Sequence, residues 1–123
     1  MNDAERFEAT RLFIAAVGEA RKDKAVPFEP VHFAEAVYTL RLAGNGFAKR
    51  FPTFNSLGGL TCPDFQEGMA AAQAAGLITR QNPSFRFFTV RMPPRVVRTT
   101  LRGVADEADI RKVAQEYCSR VLG

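Results

Sequence analysis

Residues 68–91 read GMAAAQAAGLITRQNPSFRFFTVR, and the fold turns on whether they form a helix running straight into a β-hairpin. Phe65, Met69 and Ala72 recur at helical spacing. Thr61 or Cys62 is placed to cap a start at Pro63 and Asp64, and Gly76 stands where the helix should end. A helix is therefore predicted from about Pro63 to Ala75. Leu77–Arg80 and Phe85–Arg91 are rich in β-branched and aromatic residues and flank the turn QNPS, which predicts two paired strands. Within the second strand Phe85 and Phe87 face one way, Phe88 and Val90 the other. Packing of the Phe85–Phe87 side under the C-terminal helix or a second subunit is expected. Met92-Pro93-Pro94 ends the strand, because proline cannot donate to a ladder.

Upstream, Asp3 to about Lys22 predicts a first helix, capped by Asn2 or Asp3 and largely buried through Phe7, Leu12, Phe13, Ile14, Ala16, Val17 and Ala20. Pro30 opens a second helix carrying Phe33, Val37, Leu40 and Ala43 on one face, with Gly44 past its end. The linker NGFAKRFPTFNSLGGLT mixes turn residues with Phe47, Phe51, Phe54, Leu57 and Leu60. Those apolar residues predict a segment that packs down, with a short helix near Phe47–Phe51 before Pro52. Downstream, RVVRTTLRGVA fits both readings over 95–104: its β-branched pairs favour strand, while Val97, Leu101 and Val104 are spaced for a helix. On a helix Arg95, Arg98 and Arg102 would share one face opposite those apolar residues. Asp106 then caps an amphipathic C-terminal helix with Ile110, Val113, Ala114, Tyr117 and Val121 on one side.

Charge is unevenly distributed. Residues 1–35 carry net −2, residues 36–105 net +7 and residues 106–123 net −1, giving the overall +4. From Gly68 to Ala105 there are six arginines and no carboxylate. Arginines sharing a surface there would attract a polyanion. The 123 residues suit one domain, 1–123, large enough to bury its own core. The acidic start and the absence of a long apolar run predict a cytoplasmic protein without a membrane span. Cys62 and Cys118 read as buried free thiols, and with His32 they fall short of a structural zinc quartet. No metal, cofactor or catalytic constellation is predicted: a nucleophile–base pair and a phosphate-cradling glycine loop are both missing, and Gly58-Gly59 is a turn signal only.

Three helices, a hairpin directly after the third, and a terminal helix: this order resembles the winged helix-turn-helix superfamily. The resemblance is carried by Leu57–Val90, where LGGLT precedes a capped helix ending in AAGLITR. It implies a mostly helical α+β, winged-helix-like fold of three or four helices with a hairpin wing and a C-terminal helix. It further implies that the third helix enters the DNA major groove while basic wing residues reach the backbone. On that reading the protein is not an enzyme but a transcriptional regulator binding double-stranded DNA. The residues expected at the DNA are Lys49, Arg50, Gln66, Gln73, Arg80, Arg86, Arg91, Arg95 and Arg98. Gln66 and Gln73 would read adenine edges, while Asp64 and Glu67 would repel phosphates. The first helix and the helix at 106–122 are expected to build a homodimer. The alternative is a protein–protein interaction module on the same scaffold, presenting the alanine-rich third helix and its exposed phenylalanines to a protein partner.

Overall fold

Helix α1 (Asp3–Arg21) begins with a capping box: the Glu5 N–H donates to Asn2 Oδ1 (2.8 Å) and the Asn2 N–H to Glu5 Oε1 (3.0 Å). Seven consecutive residues, Leu12–Gly18, are buried. A helix covered on every side is a core element, and α1 is covered by three later helices, described below. The computed structural model describes residues 1–80 and 86–123. The expected turn QNPS and the expected orientation of Phe85 lie outside the described residues.

Strand β1 (Val26–Pro27) leads into α2 (Pro30–Leu42), which starts on proline and buries Phe33, Ala34, Ala36 and Val37. A short 3-10 turn at Ala48–Arg50 follows, as the Phe47–Phe51 spacing predicts, with both phenylalanines fully buried. The next stretch departs from expectation. Phe54–Ser56 (β2) and Gly59–Thr61 (β3) form a second antiparallel hairpin, with Gly59 at φ +109 after the Leu57-Gly58 loop. Of the two strands, β3 is the one that packs on α2. Phe54 and Leu57, predicted to pack down, are exposed, because a two-stranded ribbon has no layer behind its outer strand.

Helix α3 (Pro63–Ala74) has Cys62 at its N-cap position and ends before Gly76, at φ +80. It crosses α1 where Gly68 meets Thr10; a Cβ on Gly68 would lie 2.0 Å from Thr10 Oγ1. Strands β4 (Ile78–Arg80) and β5 (Phe87–Val90) form the predicted hairpin, and β1 pairs with the far side of β5, giving a three-stranded antiparallel sheet in the order β1-β5-β4. Phe88 and Val90 face the core, and Phe87 faces solvent, 42% exposed. The cover expected over Phe87 from the C-terminal helix is therefore not made within the protomer.

Between the two readings of 95–104, the structure selects helix: α4 spans Pro94–Leu101. Val97 and Leu101 are buried against α1. Gly18 makes the approach possible, since a Cβ there would lie 2.8 Å from Val90 Cγ1 and 3.4 Å from Val97 Cγ2. Helix α5 (Glu107–Leu122) buries Ile110, Val113, Ala114, Tyr117 and Cys118. Asp106 stands at its N-cap position but makes no side-chain capping bond; its carboxylate instead pairs with Arg50 at 2.9 Å. The apolar faces of α1 and α5, expected to build a homodimer, are thus spent inside one protomer.

An aromatic cluster joins the layers. Phe33 stacks on Phe65 at 3.9 Å between ring centres, and Phe13 meets Phe33, Phe65 and Tyr117 edge-on at 5.1–5.7 Å. Such pairs add about 0.5–1.5 kcal/mol each beyond burial. The Tyr117 hydroxyl donates to Pro27 O (2.6 Å) and accepts from the Glu29 N–H (2.9 Å), tying α5 to the β1–α2 junction. Burial raises the Tyr117 pKa. Cys62 and Cys118 are free and buried; burial pushes the Cys62 thiol up to about 11 and the Cys118 thiol upward too, so neither is a thiolate at neutral pH. No described helix is long and apolar enough to cross a membrane.

Candidate nucleic-acid interface

Helix α3 turns Phe65, Gly68, Met69 and Ala72 inward, which leaves Gln66, Ala70 and Gln73 (i, i+4, i+7) as one exposed stripe. Its two carboxylates are held by α1. Arg6 Nε bonds Asp64 Oδ1 at 2.9 Å, Nη2 lies 3.3 Å from Glu67 Oε2, and Nη1 reaches Asp3 at 2.6 Å. The hydrogen bond to Asp64, and then that to Asp3, raises the Arg6 pKa. One guanidinium among three carboxylates still leaves the amino end of α3 acidic. Phosphate attraction must come from elsewhere.

The expected cationic residues divide into three groups. Lys49 and Arg50 sit in the 3-10 turn, and Arg50 lines a hollow with Met1, Ala4, Glu5 and Glu8 at the amino end of α1. Arg50 is paired with Asp106 and lies 5.4 Å from the centre of the Phe47 ring. Arg80 is half-buried, its guanidinium 4.1 Å above the Phe28 ring, which in turn stacks on Phe65 at 5.6 Å. It belongs to the packing beneath the sheet. Arg86, Arg91, Arg95 and Arg98 are exposed, and none makes an ion pair among the described residues.

Arg98 lines a hollow with Gly18, Glu19, Lys22 and Asp23, at the carboxyl end of α1. The nineteen residues of α1 span about 28 Å at 1.5 Å per residue. The single patch expected from the +7 central block is instead spread along α1: Arg50 lies at its amino end and Arg98 at its carboxyl end, while α4 runs back along α1 far enough for Arg11 Nη1 to donate to Thr100 Oγ1 (3.3 Å), and Arg50 pairs with Asp106, shortly beyond α4. The physical reason is that α4 docks along α1 from Gly18 toward Arg11, whereas the 3-10 turn packs on α2 and α5.

Arg102, at the carboxyl cap of α4 and expected to share the Arg95–Arg98 face, is also exposed and makes no ion pair among the described residues. Arg6 acts from 58 positions away from Asp64, and only its i, i+3 relation to Asp3 is local. Glu19, close to Arg98, is engaged by Arg111 at 2.7 Å, and that hydrogen bond holds its carboxyl below the ordinary value. The outcome is a seventeen-residue stretch, 86–102, with five exposed arginines and no acid. It can hold phosphates; among the described residues no cluster of three His, Cys, Asp or Glu side chains is set to hold a metal. Comparison of the chain with protein-family models, with curated proteins and with solved structures finds no match.

Proposed function

We propose that the protein binds double-stranded DNA as a transcriptional regulator on a winged-helix-like scaffold, with the β4–β5 hairpin and α4 as its principal phosphate-binding elements. The observation that carries this reading is the set Arg86, Arg91, Arg95, Arg98 and Arg102: five exposed guanidiniums, free of ion pairs among the described residues, flanking β5 and running along α4 to its carboxyl cap. The hairpin following directly on α3 supports the resemblance. The 43–62 connection does not resemble a helix-turn-helix, whose helices are joined by three or four residues. In this arrangement Gln66 and Gln73 supply base contacts from α3 and the arginines supply affinity.

Phosphate contacts release counterions, and each steepens the log–log salt dependence of binding by about 0.9. Five contacts give a slope of about 4.5. Fluorescence anisotropy with a mixed-sequence duplex across a salt series should show that dependence, and Arg86→Ala with Arg91→Ala should lower the slope by about 2. Absence of binding at low salt, or a slope indifferent to the double substitution, removes this function. The acidic amino end of α3 favours a second reading, a module whose third helix docks a basic protein. A pull-down that returns protein and no nucleic acid would select it.

A further inference from the structure

Five of the nine exposed large hydrophobic residues among those described belong to α2 and the β2–β3 hairpin: Val31, Tyr38, Leu42, Phe54 and Leu57. On α2, Val31, Tyr38 and Leu42 stand at i, i+7 and i+11, within about 40° of one another at 100° per residue. Arg41 ties the hairpin to that stripe. Its guanidinium lies 5.7 Å from the Tyr38 ring centre, donates to Phe51 O at 2.8 Å and donates to Thr53 Oγ1 at 2.6 Å. The chain entering β2 is thereby held beside the Tyr38–Leu42 end of the helix.

The hairpin rests on α2 through β3, so β2 is an outer edge with no backbone partner on its far side among the described residues. Edge strands are normally blunted by charge, proline within the strand, or a bulge. Phe54-Asn55-Ser56 is short but carries no charge, proline or bulge. It lies in FPTFNSLGGLTCP, residues 51–63, the longest stretch of the sequence without a charged residue.

We propose that this face docks a second copy of the chain, β2 against β2 in antiparallel pairing, with the two-fold axis near Asn55. The proposal is independent of the nucleic-acid reading. A two-fold axis sets each nearby residue against itself, so a face carrying charge would meet like charge, and this stretch carries none. An antiparallel strand is self-complementary about such an axis: outward N–H and C=O groups of one copy meet the C=O and N–H groups of the other. Leu57 is fully open, Leu42 73% exposed, Phe54 55% and Tyr38 45%. Together with Val31 they expose several hundred square ångströms, the size at which an apolar patch marks an association surface and much of what one partner contributes to a stable interface.

Light scattering on a sizing column, in buffer without nucleic acid, tests the proposal. The wild-type chain should run at twice its 13.6 kDa mass, and Leu42→Glu with Leu57→Glu should halve the mass without altering the circular dichroism spectrum. Asn55→Cys under mild oxidation should give a disulfide-linked dimer on a denaturing gel. The wild type should not, because Cys62 and Cys118 are buried. A wild type of single-chain mass, a dimer that survives the double glutamate substitution, or an Asn55→Cys chain that fails to cross-link each overturns the proposal. Capture of a different protein by a monomeric wild type does so as well, by giving the face another occupant.

Discussion

The two hairpins flank α3, one leading in and one leading out, and they differ in almost every physical respect. The β4–β5 hairpin is backed by the core through Ile78, Phe88 and Val90 and is extended by β1. Positive charge follows its second strand. The β2–β3 hairpin has an exposed outer strand, no third strand and no charge. The difference shows what anchoring allows. A hairpin fixed by its inner face can leave arginines on the outside at little cost to stability, whereas a ribbon lying on one helix keeps its apolar side chains open to a partner. On the proposed readings the β4–β5 hairpin would meet a polyanion and the β2–β3 hairpin an apolar surface.

The largest test of this contrast is a pair of truncations. Phe88→Ala removes a fully buried ring that meets Phe28 edge-on, and chemical denaturation should show a loss of about 3–5 kcal/mol. Phe54→Ala, measured in the monomeric Leu42→Glu/Leu57→Glu background, should change stability by less than about 0.5 kcal/mol. Equal losses would abolish the distinction between an anchored and an unbacked ribbon. Tyr117→Phe comes next. It strips Pro27 O and the Glu29 N–H of their shared partner, freeing β1 from α5, and should cost about 1–2 kcal/mol. Hydrogen exchange should rise at Val26 and Phe88, and not in β2–β3. The smallest effect concerns the helix between the hairpins. Gly68→Ala should lose about 1–2 kcal/mol, because overpacking against Thr10 outweighs the roughly 1 kcal/mol alanine gains in a helix. Thr10→Ala in the same chain should recover most of that loss; if it does not, the 2.0 Å approach is not what makes glycine necessary there.

Legibility followed the range of the interactions. The β4–β5 hairpin could be read because Gly76, the β-branched run and the prolines after Arg91 are local signals. The β2–β3 hairpin could not: three-residue strands are too short for alternation to register, and Pro52, Asn55 and Gly58-Gly59 read as loop. Around α4, Val96, Val97, Thr99 and Thr100 left strand and helix balanced, and docking of Val97 and Leu101 on α1 beside Gly18 decided the matter. Of the candidate site, the arginines of 86–98 were legible as a charge-rich stretch. The withdrawal of Arg50 into an ion pair with Asp106 and of Arg80 onto Phe28 was not.

The order of residues by itself determined where α1, α2, α3 and α5 start and stop, that a hairpin follows the third helix, and that cationic charge gathers between Arg86 and Arg102. These features depend on backbone preferences and on neighbours three or four positions away. Tertiary structure alone decided which charges remain free, that Arg6 holds the acids of α3, and that Phe54 and Leu57 face outward. Each of those outcomes depends on partners, or on the lack of a backing layer, tens of residues distant along the chain, and such pairings exist only once the helices have packed around α1.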